Sequence, residues 1–183
     1  MRTKTHLLAL NGVIAAAYAA LTLAASALNL AYGPIQFRFS EALTILPFLF
    51  PGTAPGLFLG CLLSNLISPY GVLDLILGSV ATLLAAILTQ KAPNRWLAPL
   101  PPVLCNAVLI GGLLAWYEGG FSDSFFPLFG ANALWVGLGE AVVCYLLGSL
   151  LLTGLPKVHV LRKYMPRKRW DKAFSKRETP ATF

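Results

Sequence analysis

Residues 70–90 read YGVLDLILGSVATLLAAILTQ, twenty-one positions with Asp74 as the single charged side chain. As a helix, that stretch reaches about 30 Å, the thickness of the hydrocarbon core of a bilayer. The same composition continues on both sides of it. The chain of 183 residues is 57% hydrophobic and only 11% charged, with a mean hydropathy of +0.70. A soluble domain has about 45–50% apolar and about 25% charged residues. The chain is therefore expected to be an all-α integral membrane protein, which excludes a soluble enzyme or a soluble nucleic-acid binder. The net charge of +7 is concentrated at one end of the chain, where membrane topology accounts for it.

Outward from residues 70–90, five further apolar stretches follow the same pattern. They run from Leu7 to Leu30 (ended by Gly33-Pro34), Phe37 to Phe50, Ala54 to Ser68, Pro102 to Tyr117 and Ala131 to Leu155. A Pro-rich connector with Lys91 and Arg95 precedes the fifth span, and a basic tail follows the sixth. Arg2 and Lys4 precede the first apolar run, and Ala25-Ser26-Ala27 resembles a signal-peptidase site. That run is about twice the length of a signal h-region, so it is read as a retained span.

The second and third stretches are shorter than the roughly 20 residues that a crossing helix needs, so they are either thin spans or a hairpin. Charge decides how the chain is arranged. With an even number of crossings, Arg2, Lys4, Lys91, Arg95 and the nine basic residues from Lys157 to Arg177 share one side, thirteen of the fourteen. Arg38 is the exception. The positive-inside rule then predicts six helices over residues 1–156, a basic cytoplasmic tail over 157–183, and both termini cytoplasmic in a cell membrane. The tail is read first as a topology anchor on anionic lipid and second as a partner contact. No internal or inverted repeat is visible.

Several polar residues need a reason to be in such a chain. Arg38 and Glu41 are three apart and share a helical face; they read equally as a snorkelling interfacial pair or as ligand contacts. Glu140 lies near the middle of the sixth span, where a carboxyl group must be paired, protonated or facing a wet cavity. Gln36, Asn65, Tyr70, Asp74, Asn106, Trp116, Asn132 and Trp135 fall at similar outer depths. Singly, each Asn reads as interhelical glue and each Trp as an interface-belt residue. Together they would line an outward pocket with amides, acids and aromatic faces, suited to a flat ligand that is rich in N–H groups or cationic. Gly12, Ala16, Ala20 and Ala24 form a smooth ridge on the first span, with Ala15 and Ala19 alongside, for packing within the bundle or for docking another subunit. Cys61, Cys105 and Cys144 read as buried thiols. The two His, His6 and His159, lie near the chain ends, so neither a metal site nor a cofactor is expected.

The stretches YGPIQFRFSEALT (32–44), GCLLSNLISPY (60–70), LDLILGSVAT (73–82) and GLGEAVVCYLLG (137–148) together resemble the QueT family. Its members are membrane substrate-binding (S) components of energy-coupling factor transporters, associated with queuosine precursors. The resemblance runs from Leu7 to Leu155 and implies a six-helix S-component bundle. It also implies partners: a transmembrane coupling subunit docked on the small-residue ridge, and two ATPase subunits. The chain has no GxxxxGK[ST] loop, so hydrolysis would belong to those partners and the chain itself would not be an enzyme. The implied ligand is a 7-deazaguanine such as preQ0 or preQ1, or queuine. Glu140 would take the guanine edge, Glu41 or Asp74 the substituent, and Asn65, Asn106 and Asn132 the remaining polar contacts. An S component for another vitamin-like molecule, an intramembrane lipid-acting enzyme and a stand-alone carrier or channel are the competing readings.

Overall fold

The computed structural model describes residues 4–32, 35–158 and 165–174. Among these the regular structure is helical, without strands. Helix α1 (Lys4–Ala27), α4 (Gly71–Lys91), α5 (Leu100–Gly119) and the continuous run Phe125–Lys157 are each long and apolar enough to cross a membrane. Two shorter apolar stretches, Phe39–Leu49 and Ala54–Asn65, lie between the first and second of these.

The first short stretch is not the α-helix from Phe37 that hydropathy predicts. It is a 3-10 segment, Phe39–Ile45, that leads into one turn of α-helix, α2 (Leu46–Leu49). Pro47 has no N–H to give the carbonyl of Leu43, so a regular α-helix would lack a bond there. The Thr44 hydroxyl donates to the Glu41 carbonyl at 2.5 Å, which satisfies a carbonyl locally. At 2.0 and 1.5 Å per residue this stretch covers about 20 Å, and α3 (Ala54–Asn65) about 18 Å. Both fall short of a full crossing.

The last long run begins at Phe125 and not at Ala131. Pro127 falls in its first turn, where a missing N–H breaks no bond. The run is also interrupted: α6 (Phe125–Val142) passes through a π-helical turn, Val143–Leu147, into α7 (Gly148–Gly154). Glu140 therefore sits about midway along the run, one turn before the interruption.

Helices pack in the order α1, α3, α4, α5, α6. The Phe39–Ile45 segment fills the middle and touches α1, α4, α7 and the π turn. The α1–α3 crossing is close because Gly56 and Gly60 of α3 face α1. A Cβ on Gly56 would lie 2.6 Å from the Asn11 carbonyl oxygen, and one on Gly60 would lie 2.7 Å from the Tyr18 Cβ. Small residues four apart let two helices approach in this way.

One end of the bundle is tied by a chain of hydrogen bonds. The Asn11 amide donates to the Gly52 carbonyl at 3.0 Å, the Gly52 N–H to Gln90 Oε1 at 3.0 Å, and Arg169 Nη1 to the Gln90 carbonyl at 2.7 Å. Arg169 belongs to a short helix, α8 (Arg167–Ala173), which buries Trp170 and Ala173 in the apolar cluster of Leu46, Phe48 and Leu49. The start of α1, the end of α4 and α8 thus share one end. Gly33, Pro34, Arg2, His159, Arg162, Lys163, Lys176 and Arg177 lie outside the described residues.

Candidate functional site

The buried 3-10 segment brings polar side chains to the centre of an apolar bundle. Arg38, at its N-cap, and Glu41, in its first turn, are 3% and 1% exposed. Each is met by a side chain from a different helix. The Tyr18 hydroxyl of α1 donates to Glu41 Oε1, and Arg38 Nη2 donates to Asn65 Oδ1 of α3. Asn65 in turn donates to the Asp74 carbonyl at 3.1 Å. Thr22 donates to the Ser40 hydroxyl at 2.7 Å, which fixes the segment against α1.

On the far side stands Glu140, 1% exposed. It does not pack among Leu and Val alone. The Cys144 thiol in the π turn lies 3.7 Å from Glu140 Oε2 and 3.6 Å from the Glu41 carbonyl, so it bridges the two acidic residues. Asn106 of α5 lies within reach of both carboxyl groups. Its amide nitrogen nonetheless closes no hydrogen bond. Arg38 Nε and Glu41 Oε2 are likewise buried and unpartnered. Buried polar atoms of native proteins are nearly always satisfied, so three such atoms in one cluster call for a physical reason.

Gly139 explains how the chain closes over this cluster. A Cβ there would collide with the carbonyl oxygen of Gln36, so only glycine lets the residues before Arg38 lie against α6. Gln36 itself is buried.

Other expected site residues fall elsewhere. Asp74 is buried, but its Oδ2 accepts the Ser68 hydroxyl at 2.5 Å. Asn132 donates to Glu118 Oε2 at 3.0 Å, near the C-terminal end of α5. Tyr70 lines a cleft of about 370 Å³ together with Ser26, Asn29, Tyr32, Ile67 and Pro69. The Tyr32 ring lies 5.2 Å from the Arg38 guanidinium, so this cleft adjoins the cluster. Neither Glu41 nor Glu140 lines it. Trp116 lies in a separate apolar groove with Leu73, Val108 and Phe125. Trp135 is 47% exposed on the outer face of α6.

The ridge on α1 divides into two faces. Ala15 is buried against Gly60 and Ala19 is half-buried, whereas Gly12, Ala16, Ala20 and Ala24 are exposed.

Sequence reasoning did not single out Tyr18, Thr22 or Tyr32 for the site, and read Cys144 only as a buried thiol. Tyr18 carried a signal: it is the one aromatic residue in α1, and a buried tyrosine hydroxyl needs a partner.

The family model described as QueT transporter matches residues 8–157. The chain belongs to the QueT transporter family. A relative from Lactococcus lactis subsp. cremoris (strain MG1363), named queuosine precursor transporter QueT, is 34% identical over 82 residues. That alignment covers 45% of this chain and 48% of the relative, so it spans about half the length of the curated protein. No solved structure matches significantly. The region matched to the QueT family contains the whole buried cluster, from Tyr18 to Cys144.

Proposed function

We propose that this QueT-family chain is the substrate-binding subunit of an ATP-driven importer of the energy-coupling factor type, and that its ligand is a queuosine precursor of the 7-deazaguanine class. The observation that carries this reading is the buried cluster with unpartnered atoms on Glu41, Asn106 and Arg38. A guanine edge offers N1–H and a 2-amino group to one carboxylate, and in this reading Glu140 accepts them. The Asn106 amide then donates to the base, and Glu41 faces the substituent. Asn65 and Asp74, whose polar atoms are taken up by Arg38 and Ser68, hold the frame around the ligand.

The cleft beside Tyr32 and Tyr70 is the entry route, and its volume of about 370 Å³ is within the usual range of small-molecule sites. The base enters from the outer side, and the basic residues shared by the other end of the bundle support a cytoplasmic position for that end. The two short stretches, Phe39–Leu49 and Ala54–Asn65, complete a six-helix bundle as thinned spans. The exposed ridge of Gly12, Ala16, Ala20 and Ala24 docks a transmembrane coupling subunit, and separate ATPases supply the energy.

Purification of the chain in mild detergent, followed by mass spectrometry of what leaves it on denaturation, tests the reading. A 7-deazaguanine released at near-stoichiometric yield is expected. A different vitamin-like molecule, or uptake by the chain alone in vesicles without ATPases, would refute it.

A further inference from the structure

A separate cavity of about 100 Å³ lies away from the buried cluster, lined by Arg95, Trp96, Ser149, Leu152 and Thr153. Arg95 and Trp96 come from the connector between α4 and α5, the others from α7. Leu152 belongs to the apolar cluster that also buries Trp170, so the cavity lies at the end of the bundle where α8 docks. Arg95 is the one charged residue in the lining. Its guanidinium lies 4.9 Å from the centre of the Trp96 ring, and stacking of this kind orients the group without using its N–H donors. Asn94 Oδ1 accepts the N–H groups of Trp96 and Leu97 at 3.1 and 2.9 Å, which fixes the connector. Among the described residues, no hydrogen bond or ion pair takes up the Arg95 guanidinium or the Ser149 hydroxyl.

Depth points to the occupant. The run Phe125–Lys157 has 33 residues, about 50 Å of helix against a hydrocarbon core of about 30 Å. Centred on that core, its last six or so residues stand among the headgroups. Thr153 falls there and Ser149 at the boundary. Leu146 and Leu150, farther in on the same run, are 63% and 66% exposed. We propose that this cavity binds the phosphate of one anionic phospholipid, with its acyl chains along Leu146 and Leu150. The Arg95 fork donates to two phosphate oxygens, and the Ser149 hydroxyl to one. Basic pockets between membrane helices suit such headgroups. The cavity is too small for a drug-sized ligand. A choline headgroup fits poorly, because the lining has no carboxylate and Arg95 already covers Trp96.

Native mass spectrometry of the detergent-purified full chain tests this, with phosphatidylglycerol and phosphatidylcholine of matched chains added together. The first phosphatidylglycerol is expected to bind at least about tenfold more tightly. Arg95→Gln and Arg95→Lys should each cut that preference at least about fivefold, since lysine keeps the charge but not the fork. Ser149→Ala, which leaves the connector untouched, should weaken it by about fivefold. Lys91→Gln, the same charge loss outside the cavity, should leave it within twofold. Equal binding of the two lipids overturns the proposal. So does a preference kept in Arg95→Lys, or lost equally in Lys91→Gln, because either makes it an effect of diffuse charge. Displacement of the lipid by an equal concentration of glycerol 3-phosphate would make this a site for a free phosphoester and overturn the lipid assignment.

Discussion

Replacing Gly60 by Ala tests how the candidate site is assembled. An added Cβ at position 60 would lie 2.7 Å from the Tyr18 Cβ, 2.8 Å from the Ala15 carbonyl oxygen and 3.1 Å from the Ala15 Cα. Two of these are backbone atoms of a regular helix and cannot swing aside, so α1 must move away from α3. Overpacking of this kind costs about 1–3 kcal/mol. Gly12→Ala is the matched comparison, because it makes the same chemical change within a helix but meets nothing within 4 Å. The gain in helix propensity, about 1 kcal/mol for either change, cancels between the two. The difference in stability between the variants is then the clash alone. Thermal unfolding in detergent, followed by intrinsic fluorescence, should rank Gly60→Ala well below Gly12→Ala. Because Tyr18 moves with α1, Gly60→Ala should also weaken ligand binding. A Gly60→Ala protein that melts and binds like Gly12→Ala would show that the α1–α3 contact is not the one described.

Three further outcomes follow from the same geometry. Glu140→Gln keeps the shape but loses the charge, so affinity for a 7-deazaguanine should fall by about 1.5–3 kcal/mol, the worth of a hydrogen bond to a charged group; undiminished affinity by calorimetry removes Glu140 from the ligand. Ala16→Leu with Ala20→Leu enlarges the exposed ridge only, so uptake in cells expressing the coupling subunit and ATPases should stop while binding by the purified chain stays within twofold; unimpaired uptake would put the docking face elsewhere. Arg169→Ala removes the donor to the Gln90 carbonyl at the end of α4. As a half-buried contact to a helix C-terminus it is worth about 1 kcal/mol, and hydrogen exchange at α8 should rise while ligand affinity is unchanged.

Membrane class and the existence of the long helices were legible because hydrophobicity acts over twenty residues at a time. Their limits were less so. Phe125 to Gly130, with Pro127 inside it, looks like a loop, yet a proline in the first turn of a helix breaks no bond. The 3-10 form of Phe39–Ile45 depends on a local bond from Thr44 and on Pro47, and neither registers in hydropathy. Arg38, Glu41, Asn65, Asn106 and Glu140 stood out because polar atoms in an apolar chain need a reason. Their pairing did not, since Tyr18 meets Glu41 across twenty-three positions and Cys144 meets it across more than a hundred. Trp116 and Trp135 share helices with Asn106 and Glu140 but not a direction, since both are exposed while Asn106 and Glu140 are buried. Composition gives depth along a helix, whereas the facing of a side chain is settled by packing. The two faces of the α1 ridge show the same division, with Ala15 turned in and Ala16 turned out.

The most direct measurement is an experimental structure of the purified chain with a 7-deazaguanine bound. The account predicts the base inside the bundle, its N1–H and 2-amino group about 2.9 Å from the Glu140 carboxylate, Asn106 at its side and Glu41 at its substituent. A base seated in the cleft between Tyr32 and Tyr70, with Glu140 and Glu41 untouched, would contradict it.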